Sequence, residues 1–139
     1  MNQLIRTANQ TPIEIALGID TEGRTTARKL YEFLELAKGQ FSRWTKANII
    51  DNQFAEEGTD YEGFDIDVEG NIVKDYHLSA AFAKKLSMAA KSEKGEQARE
   101  YFVRTESKLK EISESGILEG LSPELQAIIA HDKKLQYIV

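Results

Sequence analysis

Two histidines, no cysteine and a scatter of serines and carboxylates are the reactive groups of this chain. A metal site needs ligands at spacings such as HxxxH, ExxH or CxxC. His77 and His131 lie on separate segments with none of these patterns, and read as a hairpin histidine and an exposed helix histidine. The serines fall at helix starts and in linkers, outside any GxSxG context. "KGEQAR" has one glycine where a phosphate-binding loop needs several. Seven carboxylates crowd into residues 56–70, which reads as a solvated surface before it reads as a general acid–base pair. These residue types therefore predict no catalysis, no metal and no cofactor.

The charge pattern is more informative. The chain carries −5 over 139 residues. The stretch "EEGTDYEGFDIDVEG" at 56–70 holds −7 with no lysine or arginine, while residues 24–50 hold +4. A basic segment is thus followed at once by an acidic one. No apolar run approaches the roughly 20 residues that span a bilayer, and "MNQLIRTANQ" has no signal-peptide apolar core. The absence of cysteine removes any disulfide framework. A cytoplasmic protein that acts by touching another macromolecule is expected.

The elements that must present such a surface follow from periodicity. In "IEIALGID", residues 13–20, Ile13, Ile15, Leu17 and Ile19 alternate with other residues, as on a half-buried strand. Thr25 or Thr26 can cap a helix that buries Leu30, Phe33, Leu34 and Ala37 and stops at Gly39. A short helix over "QFSRWTKANII" is expected to bury Phe41 and Trp44. After a loop at 51–60, Phe64, Ile66 and Val68 alternate with acids as a strand. Gly70 and Asn71 supply a two-residue turn, and "IVKDYH" returns. Ser79 opens a third helix with Phe82, Leu86, Ala89 and Ala90 inside. "SEKGEQAREYF", residues 92–102, reads as a turn feeding a fourth helix to about Glu114, its seam made by Ala98, Phe102, Thr105, Leu109 and Ile112. After a linker, Pro123 starts a last helix. The fold expected is α+β: a small antiparallel sheet of one strand plus the hairpin, packed with four helices, and a trailing C-terminal helix.

Charged and aromatic residues that a core does not require are the candidate contacts. Arg28, Arg43 and Lys46 sit on a helix pair at 26–50 that can form a helix-turn-helix, giving a DNA-binding regulator as one reading. The acidic pI near 5.1 stands against it. Asp65, Asp67 and Glu69 lie on the hairpin, whose acidic surface can fill a basic groove of a protein partner. Gly95 is expected to permit close helix packing, and Arg99 to pair with a carboxylate of the acidic segment. Tyr101, beside Phe102, is the expected half-exposed interface aromatic.

The order of short patterns then adds a resemblance. "ARKLYEFLELAKGQFSRWTKANI", "FAEEGTDYEGF" and "DYHLSAAFAKKLSMAAKSEKGEQAREYF" together resemble the AntA/AntB family of phage antirepressor domains over residues 25–109. Carrying it are an R-x-L-x-x-F-L helix, an aromatic and a tryptophan three apart, two Asp-Tyr pairs and a G-x-x-A-R-x-Y-F run. The resemblance implies a phage or prophage protein that inactivates a phage repressor by stoichiometric binding and favours lytic induction. It implies no catalytic positions. Leu30, Phe33, Leu34, Phe41, Trp44, Tyr61, Tyr76, Leu86, Met88 and Phe102 are its expected core members. Residues 1–115 are expected to form this domain, with 116–139 a linker and C-terminal helix that begins a further region or an oligomerisation element. A homo-oligomer in the bacterial host cytoplasm is expected, with a repressor as partner and no membrane contact.

Overall fold

The run expected as the first strand instead begins with a helix, α1 (Pro12–Ala16). Thr11 and Glu14 cap it reciprocally, the Thr11 hydroxyl accepting from the Glu14 amide and the Glu14 carboxylate accepting from the Thr11 amide. Pro12 stands at the first helical position, where its fixed φ suits a helix start. This local signal outweighs the alternation. Ile13 and Leu17 face the core four residues apart, Ile19 follows them after the helix, and Ile15 stays 46% exposed. The computed structural model describes residues 10–115 and Glu124.

Glu14 also meets Lys84 at 3.1 Å. The Thr11 amide, followed by Lys84, holds the Glu14 carboxyl below its usual range. A lowered folded-state pKa gives stability that is complete above the unfolded value and fades as pH falls through the folded one. Glu14→Gln is therefore expected to lower the melting temperature near neutral pH. The gap from the parent should shrink as pH drops from about 7 toward about 3. Thermal melts across that range check it, and a constant gap would exclude the linkage.

The strand that α1 was expected to be is supplied by β1 (Arg24–Thr26). Asp20 accepts from the amides of Glu22 and Arg24 and so makes the turn before it. The buried Thr25 hydroxyl ties β1 to the Leu17 carbonyl at 2.9 Å. Thr26 then caps α2 (Ala27–Phe33) by accepting from the Lys29 amide. This helix ends before the expected stop at Gly39, because Glu35 adopts a left-handed φ of 56°; Ala37 lies outside it and exposed. Next come α3 (Phe41–Thr45) and, continuous with it, a π-wound turn (Lys46–Ile50).

The hairpin is β2 (Tyr61–Val68) and β3 (Asn71–Ser79), in an antiparallel sheet of order β1-β3-β2. Val68 pairs with Asn71, so the two turn residues are Glu69 and Gly70, one position earlier than expected. Their φ values of 53° and 85° give the left-handed pair that such a turn needs. Ser79 caps α4 (Ala80–Ala89) through the Phe82 amide, as expected. The last described helix is α5 (Glu93–Glu114), whose first turn already contains Gly95; the corner itself is Ala90–Ser92.

The chain divides into two compact units, Met1–Arg99 and Glu100–Val139. In the first unit Leu17, Leu30, Leu34, Ile49 and Leu78 are fully buried, with Phe82 and Leu86 beside them. Of the expected core, Leu30, Leu34 and Leu86 are buried. Phe33, Phe41, Trp44, Tyr61, Tyr76, Met88 and Phe102 are half-buried instead. In the second unit, Arg104 and Glu100 pair at 3.5 Å and Lys110 and Glu106 at 4.0 Å, as the i, i+4 spacing predicts. Apart from Glu124, the C-terminal helix expected from Pro123 falls outside the described residues, as does His131. The fold class stands as α+β, with five α-helices and a three-stranded antiparallel sheet among the described residues.

Candidate functional site

Strand β3 is central, but β1 covers only its end, from His77 to Ser79. Side chains close the next part of that edge. Asp75 is 4% exposed, and its carboxylate accepts from the amides of Tyr76 at 2.7 Å and Arg28 at 3.1 Å. Arg28 belongs to the first turn of α2, so a buried anion sits at that helix N-terminus, where charge and free N–H groups both favour it. In return the Arg28 guanidinium donates to the Lys74 carbonyl at 2.9 Å and lies 4.3 Å over the Phe41 ring. Its Nε is buried without a hydrogen-bond partner among the described residues.

Below this latch lies a cleft of about 360 Å³ lined by Arg28, Phe41, Ser42, Thr45, Lys46, Ile50, Val73, Lys74 and Tyr76. Three cations line it and no carboxylate does. Each lysine is tethered to an acid outside the lining, Lys46 to Asp51 at 2.7 Å and Lys74 to Asp65 at 3.3 Å. All four side chains are more than half exposed, so these pairs contribute little. Ile50 leaves the π-wound turn 47% exposed at the rim, while the preceding Ile49 is buried. Widening to π geometry is frequent at functional sites. Phe41 in the wall is backed by two further rings: Tyr31 meets Phe41 and Trp44 edge-on at 5.3 and 5.4 Å, and Phe41 stacks on Trp44 at 6.4 Å.

Of the candidate contact residues, the structure brings Arg28 and Lys46 into this one cleft. Arg43 is exposed on α3 and is not in the lining. Asp65 touches the site through Lys74. Asp67 has a structural duty, because its carboxylate accepts from the Gly70 amide at 2.8 Å and ties the hairpin turn. Glu69 is exposed in that turn. Tyr101 meets Phe102 edge-on at 5.2 Å in the second unit. Arg99 does not reach the acidic segment. It pairs with Glu96 at 2.8 Å and donates to the Met88 and Ala90 carbonyls, both at 2.7 Å. Those carbonyls lie at the open end of α4, where a cation is favoured. Arg99 is therefore a clamp for the α4–α5 corner.

Lys74, Asp75 and Ile50 complete the site but were not singled out by sequence. One signal was present: Lys74 is the first cation after the acidic block. The helix pair at 26–50 does not favour the helix-turn-helix reading. A five-residue α3 that passes into π winding offers little regular helix to a groove, and Arg28 is already held by Lys74 and Phe41. His77 stacks on Phe64 at 4.1 Å. Among the described residues no group of three or more His, Cys, Asp or Glu could hold a metal ion, and no helix is long and apolar enough to cross a membrane.

No curated protein and no solved structure shows significant similarity to the chain. The family model described as AntA/AntB antirepressor matches residues 25–92, which include all of β1 but Arg24, the cleft, the hairpin and α4. The G-x-x-A-R-x-Y-F run at 95–102 follows the matched span. Such a family supports an antirepressor role, a regulatory and non-enzymatic kind of work that implies a repressor protein as partner. Residues 25–92 belong to the AntA/AntB antirepressor family.

Proposed function

We propose that the chain is a phage or prophage antirepressor that inactivates a phage repressor by direct stoichiometric binding, and so favours lytic induction in the host cytoplasm. One observation carries the reading beyond the family match. The acids Asp65, Asp67 and Glu69 of the hairpin and the cations Arg28 of α2, Arg43 of α3 and Lys46 of the π-wound turn stand in one compact unit. Opposite signs sorted in this way steer a charged partner and fix its register more than they add raw affinity. In this reading residues 1–115 make the contact. Tyr101 contributes an aromatic to that contact, with Val103 66% exposed beside it, and residues 116–139 serve self-association.

The test is a titration of the purified chain into a complex between an operator duplex and the repressor encoded beside this gene. The operator should be released at about one chain per repressor subunit, and the chain alone should leave the duplex unshifted. A shift of free duplex by the chain that collapses steeply with salt would replace this reading with direct DNA binding. No release at large excess would end it.

A further inference from the structure

Three cations gather in one concavity of a chain whose net charge is −5. Their mutual repulsion is a cost that the fold does not require, since Lys46 and Lys74 are mostly exposed and pair only with acids outside the cleft. Arg28 is different, being fixed by the Lys74 carbonyl and the Phe41 ring. A guanidinium held in place this way loses little freedom when it meets an anion. Exposed ion pairs contribute about 0–1 kcal/mol, so exchange of Asp51 or Asp65 for an incoming carboxylate costs little.

The surroundings select the kind of anion. A phosphate is best held by free backbone N–H groups at a helix start. Here two of those of α2 are taken, the Arg28 amide by Asp75 and the Lys29 amide by Thr26. Addition of a partner strand at this edge of β3 is also obstructed, because Arg28 occupies the Lys74 carbonyl and Asp75 the Tyr76 amide. What remains is side-chain recognition, by cations set among Phe41, Ile50 and Val73. The cleft volume of about 360 Å³ lies at the small end of the usual 300–1,000 Å³ of ligand pockets.

We propose that this cleft receives an aspartate or glutamate side chain from an acidic segment of the repressor, with a neighbouring apolar side chain laid against Ile50 and Val73. The repressor as source rests on the antirepressor reading; the chemical class of the ligand does not. Trp44 is the only tryptophan of the chain and stacks on Phe41 of the cleft wall, so its fluorescence reports occupancy.

Three probes are titrated: a capped Ala-Leu-Glu-Leu-Ala peptide, its glutamine counterpart and inorganic phosphate. The glutamate peptide should give a saturable change in Trp44 emission and bind roughly tenfold more tightly than the glutamine peptide. That advantage should vanish in a Lys46→Gln/Lys74→Gln variant whose melting temperature matches the parent's. Equal binding of the two peptides, a response to phosphate at the same concentrations, or an unchanged response in the variant would each overturn the proposal. A second arm tests the source by measuring repressor binding to a Lys46→Glu/Lys74→Glu variant, expected to be weakened at least roughly tenfold. Full repressor binding by this variant would remove the cleft from the interface and leave the antagonism standing. A parent chain that takes the glutamate peptide but no repressor would support the cleft and defeat the antagonism.

Discussion

Gly95→Ala is expected to destabilise the chain severely, although alanine is the better helix former by about 1 kcal/mol. Gly95 lies in the first turn of α5, where its amide is capped by the Ser92 hydroxyl at 3.1 Å. The chain has just reversed through Ala90, whose extended backbone brings its carbonyl back against the new helix. A Cβ on residue 95 would stand 2.1 Å from the Ala90 oxygen, 2.9 Å from its carbonyl carbon and 3.0 Å from its Cβ. These are mostly backbone atoms, and a rotamer change cannot clear them. The same Ala90 oxygen accepts from Arg99, so moving it also loosens the clamp on the end of α4. Overpacking of this kind costs about 1–3 kcal/mol and more where backbone must move. The net loss after the gain in helix propensity is expected at roughly 2–4 kcal/mol. Thermal or urea denaturation checks it, with a fall of about 10 °C or more in melting temperature. An unchanged or raised melting temperature would mean that the corner does not bring Ala90 against Gly95.

What sequence could and could not show follows from the range of the interactions. The hairpin and α5 were legible because their patterns are long and local: alternating acids from Phe64 to Val68, and apolar residues three and four apart after Ala98. The spacing of isoleucines at 13, 15 and 19 misled, since alternation over so few residues is also compatible with a capped turn of helix followed by a bend. The decisive signal there was Thr11-Pro12 with Glu14 in the first turn, a chemical pattern and not a periodic one. Strand β1 is three polar residues with no apolar alternation at all, and pairing with β3 alone makes it a strand. In the site, Arg28 and Lys46 were legible as cations that a core does not need. The partners of Arg99 are not legible in sequence, because the carbonyls it reaches become neighbours only when the chain turns at Ala90.

Asp75→Ala should have the second large effect, for a reason no local pattern contains. One carboxylate oxygen of Asp75, 47 residues from Arg28, joins the Arg28 amide at the start of α2 to the Tyr76 amide on β3. Truncation leaves two donors without this acceptor in a place where the whole residue is 4% exposed. Each buried donor left unpaired costs about 1–3 kcal/mol, and loss of the anion at the helix start adds roughly 0.3–1 kcal/mol. A total of about 3 kcal/mol is expected once water reaches part of the opened edge. Asp75→Asn keeps an acceptor oxygen at nearly the same volume and should lose about a third as much. Denaturation of the two variants, with amide exchange at Arg28 and Tyr76 as the local readout, checks the account. Comparable losses for Ala and Asn would mean that charge alone matters there, and near-parent stability in both would mean that the latch carries no weight. The consequence reaches the cleft. Asp75 sets the start of α2 against β3, that placement lets the Arg28 guanidinium meet the Lys74 carbonyl, and the side chain so fixed is the rigid member of the cation cluster. A weakened latch should therefore reduce binding of the glutamate peptide even under conditions where the domain is still folded.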